Sequence, residues 1–128
     1  MILAIDPGDV RSSYAIIDGR DQIPYRVGEL PNDRLLERLR FGGMQRGEFG
    51  QVDLIVCEMV ASYGMPVGRE VFDTCVWIGR FVQAAAPREV GLVFRREVKL
   101  HLCGTARAKD GNIIQALVDR FAPGANGS

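Results

Sequence analysis

The chain has 128 residues, with 16 Lys and Arg, 16 Asp and Glu and a single His, so its formal net charge is zero. Apolar residues make up 47% and charged residues 25%, the balance of a globular domain with a real core rather than of a disordered or collagenous chain. Cys57, Cys75 and Cys103 are widely spaced, form no CxxC pair and share the chain with His101 alone, which argues against a zinc site; each lies in an apolar stretch and reads as a buried free thiol. No apolar run nears membrane-spanning length and no signal peptide precedes the first strand, so a cytoplasmic protein without a membrane partner is expected.

Ile2-Leu3-Ala4-Ile5 reads as a buried strand that ends at Asp6. Pro7-Gly8 forces a turn, because Pro fixes φ and Gly takes conformations other residues avoid. A second strand follows over Tyr14 to Ile17. Asp6 therefore stands at the rim of a central strand, a position that suits a metal ligand and equally suits a solvated turn residue. Gln22 to Leu30 reads as an edge strand, since Pro24 cannot donate to a ladder. Pro31-Asn32-Asp33 opens a helix, capped by Asn32 or Asp33, with Leu35, Leu36 and Leu39 on its apolar face and Arg34, Glu37, Arg38 and Arg40 on its wet one. Gly42-Gly43 ends it, and Met44 to Gln51 reads as a polar loop.

Val52 to Met59 is the next strand, and its run Leu54-Ile55-Val56-Cys57 fits burial on both faces. Glu58 closes it as Asp6 closes the first. If the two strands are parallel neighbours, both carboxylates meet at one rim of the sheet. The segment from Ala61 to Gly68 is a loop whose Tyr63 and Met65 can serve substrate contact or local packing. Arg69 to Ala86 is a helix apolar on most sides, so one side covers the sheet and the other calls for a partner, most simply a second copy of the chain. Trp77 on that helix is a candidate for the interface or for the core. Gly91 to Phe94 is a fifth strand, and a last helix starts at Lys109 or Asp110 with Ile113, Ile114, Leu117, Val118 and Phe121 on its apolar face.

The order β-β-β-α-β-α-β-α predicts an α/β fold: a central mixed five-stranded sheet, its first three strands antiparallel, flanked by helices, in one domain over 1–121 with a flexible tail at 122–128. Charge is uneven along it. Residues 1–60 hold 7 basic and 10 acidic side chains, whereas residues 95–109 hold Arg95, Arg96, Lys99, Arg107 and Lys109 against Glu97 alone. A basic stripe on a neutral protein can bind a polyanion locally or be a solvated surface.

Three blocks in order carry a resemblance. Ala4-Ile5-Asp6-Pro7-Gly8 with Ala15-Ile16-Ile17-Asp18, then Ile55-Val56-Cys57-Glu58 with its loop and helix, then Val98-Lys99, Gly104, Arg107 and Ala108-Lys109 before an apolar helix, together resemble the RuvC family of Holliday-junction resolvases within the ribonuclease H-like superfamily. Tyr63 to Phe72 is most similar to the smaller, phage-encoded members. The resemblance implies a ribonuclease H-like sheet and metal-dependent hydrolysis of phosphodiesters in four-way DNA junctions, by a homodimer. It implies Asp6 and Glu58 as catalytic metal ligands for two Mg²⁺ or Mn²⁺ ions, with Asp6 bridging them, since converging hard oxygen donors select such cations. Lys99, Arg107 and Lys109 become backbone-phosphate contacts, joined by Arg69, and Tyr63 a group that stacks on or wedges an unpaired base. Phe72, Trp77 and Phe81 become the dimer interface.

The sequence departs from the family pattern at its end. The family's further acidic or histidine ligands lie on a last helix, and residues 122–128 resemble the linker toward it. A longer natural chain, a substitute role for Asp110 as metal ligand, and a protein that binds junctions without cutting them are the three explanations. The first is favoured, with weak metal binding and little cleavage expected of the 128 residues by themselves. A non-catalytic junction-binding module and a ribonuclease H-like RNA-processing nuclease are the alternatives to a junction-resolving endonuclease.

Overall fold

A computed structural model describes residues 1–20, 23–41, 49, 52–62 and 64–98. The elements are β1 (Ile2–Asp6), β2 (Arg11–Ile17), β3 (Pro24–Pro31), α1 (Asn32–Phe41), β4 (Leu54–Met59), α2 (Arg69–Ala85) and β5 (Val90–Phe94). They make one five-stranded sheet in the order β3-β2-β1-β4-β5. β1 pairs antiparallel with β2, β2 antiparallel with β3, and β1 parallel with β4. This is the mixed sheet with three antiparallel leading strands that the pattern predicts. The chain divides into two compact units, Met1–Leu92 and Val93–Ser128. The second unit begins inside β5, and its described remainder is a helical turn over 95–98. The expected last helix, from Lys109 or Asp110, and the tail lie outside the described residues.

One face of the sheet builds the core of the first unit. Leu3 and Ile5 of β1, Tyr14 and Ile16 of β2, and Ile55 and Cys57 of β4 alternate inward, as the period of two requires. Leu35, Leu36 and Leu39 of α1 and Ile78, Phe81 and Ala85 of α2 join them in one cluster. Spacings of three and four residues put each set on a single helical stripe. Arg88, just past α2, ties the far ends together: one guanidinium nitrogen donates to the Phe49 carbonyl at 3.0 Å and another to the Leu39 carbonyl at 2.8 Å.

Two expectations change. The segment 44–51 reads as polar, yet Phe49 within it is buried, edge-on to Tyr14 at 5.3 Å between centroids and beneath the Arg38 guanidinium. Phe81 does not belong to an interface. It is 1% exposed within one chain, whereas Phe72 is 61% exposed. Nine residues at about 100° each separate them by half a turn, so the two rings face opposite directions. Trp77 lies between, half-buried against the core, its ring 5.8 Å from that of Phe81 and covered by the Arg80 guanidinium 4.1 Å from its centroid. Element ends shift slightly: β4 opens at Leu54, β5 at Val90 and α2 closes at Ala85. Among the described residues no helix is long and apolar enough to cross a membrane.

Candidate active site

The pairing of β1 with β4 runs Ile2↔Leu54, Leu3↔Ile55, Ala4↔Val56, Ile5↔Cys57. One further step sets Asp6 beside Glu58. In a parallel pair, register partners point to the same face, and neighbouring strands lie about 4.8 Å apart. Leu3, Ile5, Ile55 and Cys57 point into the core, so Asp6 and Glu58 point to the other face. Asp6 is exposed and Glu58 half-buried. Both acids thus come at the same end of adjacent strands, each one residue past the last paired position, on the sheet face opposite α1 and α2. A chain with these strands adjacent but antiparallel would have put them at opposite rims.

Cys57 marks the boundary between this rim and the core. Its thiol is fully buried, and burial pushes its pKa up to about 12, with the negative charges of Glu58 and Asp6 adding to the effect. It stays neutral and inward-facing and offers no soft ligand. Among the described residues, the donors that β1 and β4 bring to this rim are two hard carboxylates. That set fits Mg²⁺ or Mn²⁺, since Mg²⁺ keeps several waters and takes one or two protein carboxylates together with substrate phosphate oxygens. Among the described residues no group of three or more His, Cys, Asp and Glu converges.

Polar groups continue across the rim on the same face. Asp6 registers with Ser13, and Ser13 with Glu29 of β3. Arg11, two residues before Ser13, donates from Nε to a Glu29 carboxylate oxygen at 2.7 Å. A guanidinium therefore lies one strand from Asp6, on the acid face. Nothing in the sequence singles out Arg11 or Glu29; only the β2–β3 register brings them to the site. Arg69 stands at the first turn of α2, highly exposed, with Nε 3.6 Å from Asp73 in an i,i+4 pair. Tyr63, Lys99, Arg107, Lys109 and Asp110 lie outside the described residues.

No protein-family profile and no curated protein sequence matches the chain. Solved structures do. The structure of Thermus thermophilus RuvC superposes with a TM-score of 0.69 at 14% identity, covering 92% of this chain and 78% of that one. T. thermophilus RuvC in complex with Holliday junction substrate superposes with a TM-score of 0.70 at 12% identity, covering 94% of this chain and 78% of that one. At these identities the likeness is one of fold. The chain has the RuvC-like, ribonuclease H-like α/β fold.

Proposed function

We propose that the protein is a metal-dependent endonuclease that resolves four-way DNA junctions, with Asp6 and Glu58 as its catalytic metal ligands. The supporting observation is the parallel β1–β4 register, which brings Asp6 and Glu58 to the same end of adjacent strands, in a fold shared with a junction-bound protein. Asp6 and Glu58 would hold two divalent ions, Mg²⁺ or Mn²⁺. Such ions make a water nucleophilic at neutral pH and stabilise the leaving alkoxide. The protein's own part is to hold two like charges close together, an arrangement that repels itself until a cation neutralises it. Arg69, Lys99, Arg107 and Lys109 are the proposed phosphate contacts, Tyr63 the proposed stacking group, and Asp110 a further candidate ligand. The working form is a homodimer through the outer face of α2, in the cytoplasm.

Cleavage of a synthetic four-way junction in Mg²⁺ and in Mn²⁺ tests this. Asp6→Asn and Glu58→Gln should each lower the rate by about a hundredfold or more while gel-shift affinity for the junction persists. Metal-independent junction binding with no cutting in either metal would instead make the protein a non-catalytic junction-binding module. Cutting of structured RNA in preference to junction DNA would place it with RNA-processing nucleases.

A further inference from the structure

The turn between Asp6 and β2 contains Pro7, which has no N–H to donate, and Gly8, which has no side chain. Its Gly8 peptide is held from outside. The Gly8 N–H donates to Ser12 Oγ at 3.1 Å, the Ser12 hydroxyl donates to Asn32 Oδ1 at 2.6 Å, and Asn32 Nδ2 donates back to the Gly8 carbonyl at 2.9 Å. The Asn32 backbone N–H adds a bond to the Val10 carbonyl at 2.9 Å. The ring closes on one residue of the turn, two positions after Asp6. Ser12 and Asn32 are each 1% exposed, so no water competes for these bonds. Thr74, by comparison, is also buried but only bonds back into its own helix at Glu70. Gly8 packs so closely on the Arg11 carbonyl that a Cβ there would overlap it. The turn is thus tight, and α1 reaches back over it with its first residue.

We infer that Ser12 and Asn32 are positioning residues for the acidic rim: they lock the Gly8 peptide and through it the point at which β1 releases the Asp6 carboxylate. Loops that carry active-site groups are otherwise the most mobile parts of a fold. A buried, hydrogen-bonded polar ring rigidifies one at the place where two carboxylates must share a cation. The inference rests on Asp6 being a metal ligand, and the test separates the two claims.

The measurements are Mn²⁺ affinity, from paramagnetic broadening of amide resonances at Asp6 and Glu58, and picosecond–nanosecond order of the Gly8 and Asp9 amides from ¹⁵N relaxation. Ser12→Ala removes the hydroxyl at modest structural cost, and Ser12→Thr keeps it. Ser12→Ala is expected to weaken Mn²⁺ binding by about tenfold and to loosen the Gly8 and Asp9 amides, while Ser12→Thr stays within about twofold of the wild type. Asn32→Ala should act in the same direction as Ser12→Ala. A Ser12→Ala protein that melts lower yet keeps wild-type Mn²⁺ affinity and Gly8 order would overturn the inference, because the ring would then be structural only. If the wild type shows no Mn²⁺ binding that Asp6→Asn removes, the metal reading fails instead. The positioning claim is then decided by Gly8 order alone, unchanged order overturning it.

Discussion

Tyr14 occupies the space that a larger residue at position 28 would need. A Cβ on Gly28 would lie 2.8 Å from the Tyr14 hydroxyl oxygen and 2.9 Å from Cζ. The ring cannot retreat easily, because it is buried and meets Phe49 edge-on. Gly28→Ala is therefore expected to destabilise the fold by about 1–3 kcal/mol, read as a lower denaturation midpoint with unchanged slope. An unchanged midpoint would mean that the Tyr14 ring swings aside at no cost. The cysteines give a second expectation. Cys57 is fully buried with its thiol pKa near 12, whereas Cys75 is half-exposed. In a Cys103→Ser background, a maleimide at neutral pH should label Cys75 well before Cys57. Comparable rates at the two would show that the β1–β4 pairing opens readily, which a rigid acid rim does not permit.

At the end away from the acids, one side chain hydrogen-bonds α1 and the Phe49 segment to the chain just past α2. Arg88 donates to carbonyls of Leu39, in the last turn of α1, and of Phe49. The Leu39 carbonyl belongs to the last turn of α1, which has no further N–H to give it, so a cation there satisfies an orphan acceptor and the helix dipole together. Arg88→Ala should cost about 2–4 kcal/mol by thermal or denaturant unfolding, and Arg88→Lys should recover only part of it, since one ammonium cannot reproduce the planar two-nitrogen fork. Full recovery by Lys would show that charge, not geometry, is what counts. The elements themselves were legible: the leucines of α1 and the apolar run of β4 carry their period or their burial openly, and strand-end acids at 6 and 58 pointed to a shared rim. Phe49 was not, because one aromatic residue in a Gly-flanked polar segment has no period to read. Neither was the Ser12–Asn32 contact, which joins two ordinary polar residues across 20 positions. Phe81 could have been separated from Phe72, since half a helical turn between them follows from the 3.6-residue period alone.

At the scale of the whole molecule, the proposed dimer turns on the outer face of α2. Its buried stripe is Thr74, Ile78, Phe81 and Ala85. On the opposite side Phe72 and Val76 are 61% and 62% exposed, one turn apart. Met65, in the loop before the helix, is exposed as well. A second copy laid against the same face across a two-fold axis would bury these side chains isologously, and the axis would relate two Asp6–Glu58 rims as it relates opposed strands of a four-way junction. Wild-type protein is therefore expected to sediment at twice its 14.1 kDa chain mass. The double substitution Phe72→Asp with Val76→Asp should yield a folded monomer, because both residues lie off the core. Phe81→Ala, in contrast, should lower stability by about 3–5 kcal/mol as a cavity mutation and leave association to the intact outer face. The functional consequence is specific. A monomer carrying an intact acid rim should nick one strand of a junction, whereas the dimer should make paired cuts that release linear products. Paired cutting by the Phe72→Asp, Val76→Asp monomer would break the link between the α2 face and the reaction. A wild type that sediments as a single chain would remove the dimer itself.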